Sequence, residues 1–293
     1  MSPGEGLIGV TGATGAVGGR VASRLAQAGL AQKLVVRDSG RAPRLPGAEV
    51  AQASYEDAAA MRLALSGVRT LFLVSGKEAF RRVEQHVTAV DAAVAAGVER
   101  IVYLSFLAAA SDATFTFARD HFHTEEHARA TGLSHAFLRP SLYADLVPHW
   151  CGTDGIIRGP AGEGRVAWVA RDDLADAATA VLVGEDGEHD GRTYDVTGPE
   201  ALTLAETAEV LSGATGRRIR YEEETPEEAR ASRAPSGAPD WEIEGWATSY
   251  AAIATGEMDV VSDAVRNLAG HEPLSLPAYL QRHPESYRHL VSA

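Results

Sequence analysis

Along the first half of the chain, short apolar runs alternate with stretches whose apolar residues recur every three or four positions. Leu7-Ile8 is followed by a helical stripe of Val17, Val21 and Leu25 that Gly29 closes. Residues 33–36 read as a second strand and 47–53 as a weak third. Ser54-Tyr55-Glu56-Asp57 opens a helix over 58–65, which Gly67 ends. Residues 70–74 have the length and composition of a strand buried on both faces. Val83, Val87, Val90 and Val94 mark the next helix, stopped by Gly97, and residues 101–104 form the following strand. Residues 120–129 read as helix and lead through Gly132 into a strand over 136–139 that Pro140 breaks. The alternation predicts an α/β chain with a doubly wound parallel sheet, helices on both faces and ligands outside the carboxyl ends of the strands.

The second half is less regular. Residues 152–164 are glycine-rich, 166–169 suggest a short strand, and Asp172-Asp173 starts a helix that runs to Val183. Residues 194–196 form a further strand candidate, Thr203 and Glu206 have the capping-box spacing, and 218–221 look extended. Thr225-Pro226-Glu227-Glu228 starts a helix, and residues 231–239 have the composition of a flexible loop. Ile243, Trp246, Tyr250 and Ile253 then share a helical face, a stripe that is more often core than ligand wall. A loop beside an aromatic helix predicts a lid over 225–256. With no internal repeat and no clear linker, the expected division is an α/β core over 1–150 and a smaller α/β region over 151–293 interleaved with it.

The chemistry concentrates at Val10-Thr11-Gly12-Ala13-Thr14-Gly15-Ala16-Val17-Gly18, between a strand and a helix. Gly12 suits a tight turn, Gly15 a close approach to pyrophosphate, and Gly18 close packing of helix on strand. Gly12, Ala13, Thr14, Gly15, Ala16, Val17 and Gly18 are therefore the candidate phosphate contacts. Arg37 stands where the second strand ends, the position at which an arginine suits the 2'-phosphate of NADP and a carboxylate the ribose of NAD. Asp38 follows directly, and NADP(H) is favoured over NAD(H). Ser75 and Gly76 are small residues at a strand end that let a cofactor pass, and Ser105 ends the next strand as a hydrogen-bonding candidate. Pro140, Ser141, Leu142 and Tyr143 line the site after the last strand.

Composition narrows the class. A net charge of -13 argues against nucleic acid or an anionic membrane as partner. Nothing approaches the ~20 apolar residues of a membrane span. The single cysteine, Cys151, rules out an intrachain disulfide and fits a reducing, cytoplasmic setting. His121, His123 and His127 invite a metal, but His121 and His123 point apart on a helix and no carboxylate completes a motif, so none is expected.

With the glycine motif, Arg37, Ser105, Asp120-His121-Phe122-His123-Thr124-Glu125 and Leu138-Arg139-Pro140 in view, the chain resembles the atypical short-chain dehydrogenases. Within them it is similar to the NmrA-like branch, nearest to bacterial NADPH:quinone oxidoreductases and triphenylmethane dye reductases. The resemblance implies a Rossmann domain with a small C-terminal substrate region, NADP along the carboxyl edge, and neither flavin nor metal. It also implies a departure, because Phe117 and His121 fall where a typical short-chain dehydrogenase has its Tyr-x-x-x-Lys pair. Phenylalanine donates no proton, so ordinary carbonyl reduction is closed. An NADPH-dependent reductase of a conjugated apolar or aromatic acceptor (quinone, dye, imine or enone type) is expected instead. The catalytic candidates are then His121, whose unperturbed imidazole titrates near ~6.5, Ser105 and Tyr143. Tyrosine at position 117 is expected to be tolerated. The alternatives are a biosynthetic tailoring reductase or isomerase, and a non-catalytic NADP-binding sensor that passes cofactor occupancy to a protein partner. A homodimer is compatible with each.

Overall fold

The computed structural model describes residues 6–291. Six strands and four helices follow in the order β1 (Leu7–Thr11), α1 (Ala16–Gln27), β2 (Gln32–Val36), β3 (Ala48–Gln52), α2 (Ala58–Ala64), β4 (Val68–Val74), α3 (Arg82–Ala96), β5 (Arg100–Leu104), α4 (Thr116–Ala130) and β6 (Ser134–Pro140), alternating except between β2 and β3, which a 3-10 turn joins. They form a seven-stranded sheet in the order β3-β2-β1-β4-β5-β6, with β9 (Arg192–Val196) beside β6. Every pairing from β3 to β6 is parallel. The order reverses between β1 and β4, the switch point at which a doubly wound sheet opens a crevice for its ligand. Val17, Val21 and Leu25 bury the inner face of α1 at 6% exposure or less, worth about 1.5–3 kcal/mol per aliphatic side chain.

Chain crossings produce two compact units. The first holds the chain up to Ala109, Asp120–Arg139 and Leu174–Tyr194; the second holds Ala110–Arg119, Pro140–Asp173 and everything from Asp195 onward. The chain crosses between them repeatedly, and most of α6 (Arg171–Val183) belongs to the first unit. Arg24 pairs with Asp176 at 2.5 Å and Arg100 donates to Val181 O at 3.0 Å, which fixes α6 there.

The second unit carries α5 (Val147–Trp150), β7 (Ile156–Gly159), β8 (Arg165–Val166), β10 (Leu202–Thr203), α7 (Leu204–Thr215), β11 (Arg220–Glu223), α8 (Pro226–Arg233) and α9 (Asp240–Ala254). Both expected helix starts are real capping boxes, Thr203 with Glu206 and Thr225 with Glu228. The glycine-rich stretch expected to be irregular contains β7, which pairs in parallel with β11. The strand expected over 166–169 is shorter, because Val169 instead bridges to Tyr143. The loop expected over 231–239 is also curtailed: α8 runs to Arg233 and a 3-10 turn follows at Ala234–Ser236.

Candidate functional site

Gly12 holds φ at +61°, and the Gly15 amide donates to its carbonyl at 2.8 Å, closing the turn. Gly15 then caps α1 in extended conformation, with no side chain satisfying the first-turn amides. Uncapped donors at the positive end of a helix suit a phosphate. A Cβ on Gly18 would lie 2.4 Å from Gly12 O and 2.8 Å from Thr11 O, so only glycine lets α1 sit this close to β1. Thr14, Gly15 and Ala16 are exposed on the turn, while Ala13 and Val17 are buried beneath it. Arg37 is exposed directly after β2. The Asp38 carboxylate caps the 3-10 turn Ser39–Arg41, accepting from Gly40 N at 2.9 Å. That leaves Arg37 as the strand-end charge not spent on backbone, and the whole constellation fits a phosphorylated dinucleotide.

Several residues that the sequence did not single out complete this edge. The Tyr55 hydroxyl lies 2.6 Å from both Thr11 Oγ1 and Val74 O and ties the ends of β1 and β4 together. Burial raises its pKa. Beyond β4, Gly76 is clamped from both sides. Its N–H donates to His86 Nε2 at 2.8 Å, and its carbonyl accepts from Arg82 Nε at 2.9 Å. The available signal was Arg82 itself, a cation at the start of α3 where the helix dipole disfavours one.

His86 sets the proton positions of everything behind it. Burial pushes its pKa down to about 3, so the ring is neutral. Because Nε2 accepts from Gly76, the single proton sits on Nδ1 and donates to Thr124 Oγ1 at 2.9 Å, while the Thr124 hydroxyl donates to Asp120 O at 2.8 Å. Tyr103 cannot donate to a nitrogen that already bears hydrogen, so its proton goes to His121 Nδ1 at 2.9 Å. His121 is only 4% exposed, and burial, aided by Arg82, holds its pKa well below the ordinary imidazole value. It is therefore the neutral Nε2–H tautomer, and Nε2 has no hydrogen-bond partner among the described residues. The expectation of a group titrating near neutrality is corrected: His121 is a fixed hydrogen-bond donor. The other imidazoles of the helix go elsewhere, His127 to Asp91 at 2.7 Å and His123 against the Phe122 ring.

Ser105 is also committed. Its hydroxyl donates to Glu125 Oε1 at 2.6 Å, so it retains only lone pairs for a ligand. Glu125 is fully buried and takes both arms of Arg139 at 2.8 and 2.6 Å and Arg129 at 3.0 Å. This carboxylate fastens α4 to the ends of β5 and β6.

Ser75 follows β4 in the first unit, and Pro140, Ser141, Leu142 and Tyr143 fall in the second. Leu142 O and Val169 N pair at 3.0 Å and Ala144 N reaches Val169 O at 2.9 Å, so the segment after Pro140 is held as extended backbone. The Ser141 hydroxyl is buried without a hydrogen-bond partner among the described residues. The Arg171 guanidinium lies 4.4 Å over the Tyr143 ring and pairs with Asp145. Phe117 is buried against α9, where a Cβ on Gly245 would stand 2.2 Å from its Cζ. That overturns the expected tolerance of tyrosine, since the hydroxyl would be attached at the ring end that faces the α9 backbone. Phe117→Tyr is expected to cost about 1–3 kcal/mol of stability through overpacking and to gain no carbonyl reduction. Urea denaturation checks the first effect, and a loss below ~0.5 kcal/mol, the usual bound for substitutions away from packing features, would refute it.

A parallel sheet with this strand order, a glycine turn under an uncapped helix and a strand-end arginine set the context for comparison with known proteins. A model described as the NmrA-like family matches residues 4–238. The chain belongs to the NmrA-like family. Within it, a (4-alkanoyl-5-oxo-2,5-dihydrofuran-3-yl)methyl phosphate reductase from Streptomyces griseus is 35% identical over 96% of this chain and 99% of that protein. The structure of an NADPH-dependent quinone oxidoreductase from Escherichia coli complexed with NADPH aligns with TM-score 0.85 at 30% identity, covering 94% of this chain and 99% of the other. The Citrobacter triphenylmethane reductase complexed with NADP(H) aligns with TM-score 0.81 at 30% identity, covering 97% and 99%.

Proposed function

We propose that this NAD(P)H-dependent oxidoreductase of the NmrA-like family prefers NADPH and reduces a conjugated, apolar acceptor of the quinone, dye, imine or enone type. NADPH, when bound, supplies the hydride. The amides of residues 12–18 would hold its pyrophosphate and Arg37 its 2'-phosphate, with Ser75 and Gly76 beside it. The observation that carries the reading is His121, neutral and locked as the Nε2–H tautomer. A neutral imidazole donor stabilises negative charge developing on an acceptor oxygen or nitrogen without surrendering its own proton, and the product anion is protonated by water. Such a site suits electron-poor acceptors that need no strong acid. Two of the relatives are named for a quinone and a triphenylmethane dye, which supports the same acceptor class. We place the lid in residues 225–256, where Arg230 pairs with Glu244 at 2.5 Å and couples α8 to α9.

The test is NADPH oxidation followed with a panel of quinones, cationic dyes, imines and enones. No turnover on any of them, combined with tight NADP binding, replaces this reading by the non-catalytic sensor. Arg37→Ala is expected to cut the preference for NADPH over NADH by about 10–100-fold, the worth of a charge-assisted phosphate contact. A variant that keeps its preference removes Arg37 from the 2'-phosphate.

A further inference from the structure

The second unit holds a cleft of about 710 Å³ between α5, the start of β7, the end of α8 and the face of α9 that carries Trp246 and Tyr250. Its size suits a small molecule. The walls are aromatic: Trp150 lies 4.4 Å from Tyr250, ring centre to ring centre, and Trp246 is half-buried beside them. Arg158 and Arg233 also line it, and no carboxylate does, on a chain whose net charge is -13.

The guanidiniums are set from behind. Arg233 is held by Glu224 at 2.9 Å and by Arg158 O at 3.0 Å, and lies 5.0 Å over the Tyr250 ring. Arg158 is held by Asp154 at 2.8 Å and Glu222 at 3.4 Å. Those acids offset part of the positive charge but do not use every donor. Among the described residues, the Nε–H of Arg158 and the indole N–H groups of Trp150 and Trp246 have no hydrogen-bond partner, while Arg233 also hydrogen-bonds the Tyr250 side chain. The cleft therefore offers unspent donors and flat apolar faces, and a ligand that matches it brings acceptors on a planar body.

We propose that this cleft binds a planar aromatic anion, its ring against Trp150, Trp246 and Tyr250 and its carboxylate, sulfonate or phosphate on Arg158 and Arg233. This goes beyond the reductase reading and does not depend on it, because binding is measured without NADPH. Calorimetry on the full-length protein with naphthalene-1-sulfonate is expected to show binding about tenfold tighter than with the neutral naphthalene-1-sulfonamide. Arg158→Gln, at a side chain 38% exposed, is expected to weaken sulfonate binding about tenfold and leave the sulfonamide unchanged. Trp246→Leu is expected to weaken both about fivefold or more, with thermal melts confirming that each variant is folded. No sulfonate binding at millimolar concentration, equal binding of the two probes, or unchanged affinity in Arg158→Gln overturns the proposal. A second arm identifies the source of the anion, using 1,2-naphthoquinone-4-sulfonate as acceptor with NADPH. A KM that rises in Arg158→Gln in step with the calorimetric loss makes the anion part of the substrate. An unchanged KM beside a calorimetric loss makes the cleft a separate ligand site. Both results uphold the site, whereas absent NADPH oxidation with intact sulfonate binding counts against the reductase reading alone.

Discussion

His121→Ala is expected to lower turnover by about 10²-fold, the usual cost of deleting one preorganised donor at a developing negative charge. Tyr103→Phe should lower it less, by about 10-fold, because the imidazole stays while the hydroxyl that fixes its tautomer is gone. The ¹⁵N shifts of His121 report that tautomer directly, and the wild-type protein should show protonated Nε2 where Tyr103→Phe shows a mixture. The role is abandoned if His121→Ala keeps both turnover and NADPH affinity at wild-type levels. Because burial and Arg82 hold the His121 pKa well below the ordinary value, the rate should show no step near pH ~6.5. Stability has the opposite sensitivity. His86 and His121 titrate lower when folded than when unfolded, so the unfolded chain binds more protons below ~6.5. Their contribution is complete above that pH and is lost as pH falls toward about 3, where His86 itself is protonated in the fold. Each should remove up to about 1.4 kcal/mol per pH unit on the way down, visible as falling urea midpoints between pH 7 and 4.5.

The second large effect is structural. Arg139→Met is expected to cost about 3 kcal/mol, at the low end for a broken buried pair because Arg129 remains on Glu125 at 3.0 Å. The double variant Glu125→Leu, Arg139→Met should recover much of the loss, since it removes the stranded carboxylate as well. Urea denaturation of the single and double variants decides the matter. A single-variant loss below ~1 kcal/mol, the ceiling for an exposed ion pair, would mean that Glu125 does not depend on Arg139.

Strands β4 and β5 were legible because a strand buried on both faces must be apolar throughout, and Leu71, Phe72, Leu73, Ile101 and Val102 are fully buried. The start of α4 was less so. A helix was expected from Asp120 and begins at Thr116, because its first turn is stabilised by Phe117 against Gly245, a contact across more than a hundred residues of sequence. Strand β7 stayed hidden in its glycine-rich stretch for the same reason: its partner β11 is Arg220–Glu223, and nothing local marks the pairing. Among the candidate residues, the glycine turn and Arg37 were readable because each is defined by its own backbone or by its place at a strand end. Tyr55, His86, Arg82 and Glu125 were not, because their roles exist only in the neighbours that the sheet brings to them.

By itself the sequence determined the fold class of this protein and the family to which it belongs. Gly12, Gly15 and Gly18 impose backbone conformations and approach distances that are properties of single residues, and the strand and helix periods follow from short-range geometry. Tertiary structure decided what His121 is. Its protonation and tautomer follow from burial and from neighbouring hydrogen bonds: the Gly76 amide fixes the His86 tautomer, His86 donates to Thr124, and the Tyr103 hydroxyl is left to donate to His121. Those groups come from three separate elements and a loop, and the low dielectric that keeps the imidazole neutral arises only once the sheet and its helices have closed around it.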